Sequence, residues 1–552
     1  MATLASGWER RQANADRRQL ERQRPPLRIA LLADGATQPS WLVEALSRVA
    51  AAGFAEIALI AVCPGRRSPQ PWLWRAYRRL DQWLFGAGRE PSAPTALRAS
   101  IPAARYLTLP APPAARIDAW RQASAASQPL DVVFALGEVD DDAYGGVSRY
   151  GVWRYCFGDR HGIGEALAGW REVADGEPVT ESGLCVSLRP GQRRLLYRSR
   201  SRTNPFSVAK NRANLLSKTM LFAERELRQL HRLGGGRVKR GDELPAAASP
   251  AAEAPPGAGE TLRAALAAGR RIVRRGLQKL THVDQWFIAY RFGDVAWDGN
   301  LDRYTQLRPA KDRLWADPFP LERDGRHFIF FEEVLFASGK GHIAVIEVRR
   351  DGSHGDPVTV LERDYHLSYP FLIEDDGELY MVPESGQNRS VELYRCLRFP
   401  DRWQLEKVLL ADVACADATF HHDGERWWMF VNIGADGSEL YDELHLYHAD
   451  RLLGDWQAHP CNPVKSDVCG ARPAGRLFFR DGALHRPAQI CAPLYGSGMV
   501  IAEVLELTPR AYREREVAHL FPVAGSGILG IHTLNRSGDL TVVDGFARRR
   551  RL

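Results

Sequence analysis

The sequence predicts two folds in one chain, an α/β domain with an open, mostly parallel sheet followed by an all-β five-bladed propeller. Three observations carry this prediction. A β-α-β pattern begins at Leu27, a Pro/Ala-rich stretch follows near residue 240, and one hairpin motif recurs five times from Trp315 onward.

Residues 1–26 read as a basic, solvated tail crowded with Arg10, Arg11, Arg17, Arg18, Arg22 and Arg24. The tail has no apolar core of signal-peptide type, so a cytoplasmic location is expected. The α/β domain is placed at 27–238. Its first strand, LRIALLADG, precedes a helical pattern of Trp41, Leu42, Ala45, Leu46 and Val49, then a second strand, IALIAV, and a later buried one, DVVFALG at Asp131 to Gly137. No G-x-G-x-x-G follows the first strand, so no dinucleotide site is read there.

Residues 239–261 contain GDELPAAASPAAEAPPGAGE, a composition that buries too little apolar surface to order itself and reads as a linker. A basic amphipathic helix is predicted over 262–281. Leu262, Leu266, Ile272, Val273, Leu277 and Leu280 fall near one face, and Arg270, Arg271, Arg274, Arg275 and Lys279 lie largely opposite. Such a helix either docks its stripe on its own protein or lies peripherally on an anionic membrane, here the inner face.

Composition limits the remaining classes. Of 552 residues 45% are apolar and 26% charged, and no apolar run approaches the ~20 residues of a membrane span. The excess of +7 charges sits mostly in the tails, including Arg548 to Arg551, and in the basic helix, so no specific nucleic-acid partner is expected. Eight cysteines without a CxxC pair read as reduced thiols, with neither a zinc site nor a disulfide framework. No metal or cofactor is assigned.

The propeller, placed at 282–552, rests on five copies: ADPFPLERDGRHFIFFEE, SYPFLIEDDGELYMVPES, DATFHHDGERWWMFVNI, ARPAGRLFFRDGALHRPAQ and GIHTLNRSGDLTVVDG. Their expected hairpin turns are Asp324-Gly325, Asp376-Gly377, Asp423-Gly424, Asp481-Gly482 and Ser537-Gly538, since these pairs supply positive φ between paired strands. The leading residues Asp317, Tyr369, Asp417, Arg472 and His532 are 52, 48, 55 and 60 positions apart, a period suited to four strands per blade. Innermost strands line a propeller's channel, so these five side chains should meet there. Glu332, Glu333, Glu384, Asn432, Gln489 and Asp544, at the ends of the second strands, form an expected outer ring.

WADPF, FFEE, HLSYPF, YMVPES, LYRCLRFPDRWQLEKVLL, GARPAGR and HRPAQ resemble the propeller domain of the glucosamine inositolphosphorylceramide transferase family, over about residues 285–550. That domain is similar to the propellers of arabinanases and β-xylosidases. RIALLADG, DVVFALG, RYGVWRYCFGD and WREVADGEPVT resemble a formyltransferase N-terminal domain over roughly 27–225. The formyl-donor Asn and His of those enzymes have no counterpart in Tyr150 to Tyr155, and Asp159 and Asp175 stand as remnants.

The resemblance to propeller glycosidases implies a base at Asp317, a pKa-tuning carboxylate at Asp417 and a sugar-shaping His532. Where those enzymes carry a Glu acid in the fourth blade this chain has Arg472, which cannot give the proton a leaving oxygen needs. A glycosyltransferase acting on a glycan or glycolipid fits this departure. Its donor leaves as phosphate, Arg472 offsets the departing charge, and Asp317 or Asp417 deprotonates the acceptor. A glycosidase would need Glu384 or Glu332 as relocated acid. For the site as a whole Asp317, Asp417 and Glu384 are the catalytic candidates, and Arg472, His532, Glu332, Tyr369 and Gln489 the substrate-binding ones. A non-catalytic sugar-binding module and an amino-sugar formyltransferase are the other readings.

Overall fold

The computed structural model describes residues 24–551 apart from 64–69, 87–90, 111–115, 117, 121, 123–128, 140–141, 145, 159–166, 237, 239–241, 245–253, 294–298 and 435–438. Most of the basic tail, Asp159 and most of the Pro/Ala stretch therefore lie outside the described residues. The chain forms two compact units, residues 1–199 with 204–268, and residues 200–203 with 269–552.

The first unit is built on an eight-stranded mixed sheet. Leu27–Ala33 is central because it is apolar on both faces, and it pairs in parallel with Ala55–Val62 and with Val132–Leu136. Parallel pairing extends to Arg105–Thr108 on one side and Val152–Phe157 on the other. Val179–Arg189 then pairs antiparallel with Val152–Phe157. Alternate residues feed two cores, Ile29 and Leu31 into one and Ala30 and Leu32 into the other. The helix Ser40–Ala51 buries Trp41, Leu42, Ala45, Leu46 and Val49, the periodic set read from sequence.

Two expectations are corrected in this unit. Cys156 and Cys185 are disulfide-bonded, not reduced. They lie on adjacent antiparallel strands, where Arg154 faces Cys185 and Cys156 faces Gly183, so a separation of 29 residues becomes a diagonal neighbour. The basic helix runs from Ala258 to Thr281 and buries Thr261, Ala264 and Ala268 instead of its leucine stripe. Small side chains permit closer approach. Ala264 packs with Trp74, Trp170 and Val208, while Leu262, Leu266, Val273, Leu277 and Leu280 stay exposed.

The second unit is a five-bladed propeller. Blades one, two and four are four-stranded antiparallel sheets beginning at Arg313, Ser368 and Phe478, and blade three begins at Cys415. Blade five is closed by the first strand of the unit, His282–Phe292, which pairs along its whole length with the last strand, Leu540–Arg550. This overturns the reading of Arg548 to Arg551 as a tail. Arg548 pairs with Asp284 at 2.7 Å, and Arg549 donates to Gln285 Oε1 at 2.7 Å.

Three turns match expectation, with positive φ at both Asp324-Gly325, Asp376-Gly377 and Asp481-Gly482. The other two differ. Blade three uses four residues, because His422 faces Trp427, and in blade five Ser537 faces Leu540, which puts the turn at Gly538-Asp539.

Candidate functional site

Three of the five leading residues sit at a break in their strand. Pairing shifts between Ala316 and Phe319, between Ser368 and Phe371, and between Ala416 and Thr419, and the residue inside each break is left-handed: Asp317 at φ 52°, Tyr369 at 45° and Asp417 at 54°. A bulge of this kind turns one side chain off the sheet face. Holding non-glycine residues there costs of order 1–3 kcal/mol each, the kind of strain found at functional sites.

Asp317, His532 and Asp544 form one cluster. His532 Nε2 lies 3.3 Å from Asp317 Oδ1, and its Nδ1 lies 2.6 Å from Asp544 Oδ2, at ion-pair distance but off the hydrogen-bond direction. Thr533 Oγ1 donates to Asp317 at 2.8 Å, and Asp544 accepts the backbone N–H groups of Asp317, His532 and Thr533. Burial pushes Asp317 up to about 7, with Asp417, Glu332 and Asp544 adding to the rise against the pull of His532. Burial alone would lower His532, but Asp544 and Asp317 outweigh it and raise the imidazole to about 9. Atoms of these three residues lie within 4.8 Å of one another, compact enough for a cation, and the imidazolium itself supplies positive charge between the carboxylates.

Asp417, Arg472, Glu384 and Gln489 form a second cluster. Arg472 donates to both oxygens of Asp417, reaches Glu384 Oε2 at 3.4 Å, and donates to the Leu440 carbonyl at 2.9 Å. Gln489 Nε2 donates to Asp417 at 2.7 Å and to the Pro473 carbonyl at 2.8 Å. Glu384 is pushed up to about 8 by burial, by the Asp417 charge and by a hydrogen bond shared with Asp417, against the opposing pull of Arg472. It is the least covered carboxylate of the pair, its side chain 16% exposed against 1% for Asp417.

The remaining sequence candidates take separate places. Tyr369 is fully buried, its hydroxyl 2.8 Å from Thr419 Oγ1 and accepting from the Gly475 N–H at 2.7 Å. Glu332 pairs with His366 Nε2 at 2.9 Å. Its neighbour Glu333, on the other face of the strand, accepts from Trp315 and Arg313 and lies 3.0 Å from His342 Nε2; these bonds hold it down at about 2. The buried Asn432 amide has no hydrogen-bond partner among the described residues.

Sequence reasoning missed the aromatic wall. Trp286 packs on His532 with ring centroids 4.0 Å apart, Tyr495 lies 5.1 Å from His532, and Tyr495 and Tyr441 flank the Arg472 guanidinium at 5.0 and 5.6 Å. Trp286 comes from the closing strand and both tyrosines from loops, so none falls at a repeat position. In the first unit, Asp175 ends a helix and is exposed.

Residues 308–528 match the model of a family described as glucosamine inositolphosphorylceramide transferase 1, N-terminal. The protein called glucosamine inositolphosphorylceramide transferase 1 from Oryza sativa subsp. japonica is 35% identical over 203 residues, 36% of this chain and 27% of that protein. The one from Arabidopsis thaliana is 33% identical over 205 residues, 37% of this chain and 27% of that protein. The chain thus spans about a quarter of the length of the curated relatives it matches. Among solved structures, the catalytic domain of the Coprinopsis cinerea GH62 α-L-arabinofuranosidase is 10% identical at TM-score 0.33, over 42% of this chain and 90% of that one. A family 117 glycoside hydrolase from Zobellia galactanivorans is 12% identical at TM-score 0.31, over 48% and 90%.

Proposed function

We propose that the propeller is a carbohydrate-active domain that transfers a sugar from a donor with a phosphate leaving group to a glycan or glycolipid acceptor. The observation that supports this best is the different company kept by the two acidic groups, a guanidinium at Asp417 and a hydroxyl with an imidazole at Asp317. Arg472 grips Asp417 and reaches Glu384, whereas the contacts of Asp317 are a threonine and an imidazole. Asp317, raised toward neutrality, is the base for the acceptor hydroxyl. Arg472, with its carboxylates, fixes the field at the departing phosphate. The name of the plant relatives, glucosamine inositolphosphorylceramide transferase 1, is in keeping with a lipid acceptor. Peripheral contact with an anionic membrane, through the exposed stripe of the helix Ala258–Thr281, would bring that acceptor within reach.

The test is incubation of the full chain with labelled nucleotide sugars and a lipid extract. Labelled glycolipid that disappears with Asp317→Asn is the expected result, and hydrolysis of aryl glycosides by the native protein without any transfer would overturn it.

One observation favours glycoside hydrolysis as a second reading. Glu384, raised to about 8, carries its proton at neutral pH, the state required of an acid beside a base such as Asp317. Glu384→Gln separates the two, since it abolishes hydrolysis but spares transfer from a phosphate-leaving donor.

A further inference from the structure

The first unit contains a helix that its sheet does not explain. Trp72–Phe85 buries only Trp74 and Asp81. Trp72 is 71% exposed and Trp83 79% exposed. Eleven residues apart, they lie on one face, about 16 Å from each other along the axis. Leu80 and Leu84, each 54% exposed, flank that face. Large apolar side chains left in water on one side of a helix mark a surface that meets something apolar.

The charged groups beside them are cationic except for Asp81. Arg75, Arg78 and Arg79 belong to the same helix and, with Arg212 and the single carboxylate Asp81, line a cavity of about 410 Å³ that has Trp83 in its wall. The carboxylate of the helix, Asp81, is turned inward, accepting from Ser207 Oγ at 3.1 Å and from the Ala209 N–H at 2.6 Å, so its charge is directed at the start of the helix Val208–Thr219. No carboxylate lies within ion-pair distance of Arg75 or Arg79 among the described residues. Tryptophan with arginine on one helix face is suited to the boundary between lipid headgroups and acyl chains, where the ring sits at headgroup depth and the cation meets phosphate.

We propose that the face of Trp72–Phe85 carrying Trp72, Trp83, Arg75 and Arg79 binds the surface of an anionic bilayer, with lipid phosphate entering the arginine-lined cavity. This deepens the transfer reading above by naming where the protein meets the membrane that carries its acceptor. The helix Ala258–Thr281 adds Leu262 and Leu266 to the same unit, both exposed and next to Arg263 in sequence.

Co-sedimentation of the full chain with vesicles tests this without sugar donor, so its failure leaves transfer chemistry standing, and failure of transfer leaves vesicle binding standing. Vesicles of phosphatidylcholine with phosphatidylglycerol should pellet the protein, and vesicles of phosphatidylcholine alone should not. The pair Trp72→Ser and Trp83→Ser should weaken binding at least roughly tenfold through lost apolar burial. The pair Arg75→Glu and Arg79→Glu should weaken it by roughly thirtyfold or more and flatten its salt dependence. Arg402→Glu, an exposed change on the propeller, should bind as the native chain does. Equal pelleting with neutral and anionic vesicles, or native binding by either double variant with an unchanged circular dichroism spectrum, overturns the proposal.

Discussion

Arg472 meets Asp417 side-on across 55 positions of sequence, with Nε 2.6 Å from one carboxylate oxygen and a terminal nitrogen 3.2 Å from the other. The pair joins the inner strand of the third blade to the segment that leads the fourth. It is buried, so its two charges depend on each other more than on solvent.

Arg472→Ala would leave Asp417 without a counter-charge beside Glu384. A loss of about 3–5 kcal/mol is expected, the usual cost of breaking a buried pair from one side. Denaturant unfolding measures it, and a loss under about 1 kcal/mol would show that the pair is not coupled to folding.

Asp317→Asn keeps the shape of the side chain and removes its basicity. Turnover in the transfer assay should fall about 10²- to 10⁴-fold, the range for a general base. In the native protein the rate should rise with pH through about 7, as Asp317 loses its proton.

The pH dependence of stability has a definite sign. Asp317 is raised from 3.8 to about 7 and Glu384 from 4.5 to about 8, so each binds its proton more tightly when folded, and that contribution is lost as pH rises to the folded value. His532, raised from 6.5 to about 9, behaves alike. The unfolding midpoint of the propeller should therefore fall between about pH 4 and pH 9. Glu333 and Glu514 are held below their usual range and act oppositely, but only under acid conditions. A midpoint that climbs across the neutral range would contradict the clusters as described.

Thiol alkylation of the denatured, unreduced chain should label six cysteines, and labelling after reduction should reach all eight, because Cys156 and Cys185 are joined. Eight labels without reduction would restore the reduced reading.

The parts of the fold that were legible in sequence are those fixed by local chemistry. Asp-Gly pairs set hairpins, and their spacing set the blades, so repeat position alone placed Asp317, Tyr369, Asp417, Arg472 and His532 at the head of each blade. Their division into an Asp317–His532 pair, an Asp417–Arg472 pair and a separate Tyr369 needed the structure. Chemistry that depends on a partner far along the chain was not legible. Arg548 looks like part of a charged tail until Asp284 is placed beside it, and Cys156 looks single until a neighbouring strand presents Cys185. Trp286 and Tyr495 shape the site from outside the repeat. In the helix Ala258–Thr281 the sequence showed a leucine stripe, yet alanines make the contact, because close approach selects for small side chains where periodicity counts only apolar ones.

The pairing of His282–Phe292 with Leu540–Arg550 has a consequence for biosynthesis. As the chain leaves the ribosome, the strand His282–Phe292 emerges early and has no neighbour on the Leu540 side until more than two hundred further residues have followed. Four blades can assemble in turn, but the ring stays an open arc with an unpaired edge throughout that interval. Translation arrested before Leu540 therefore yields an open propeller with that edge free to pair with other chains.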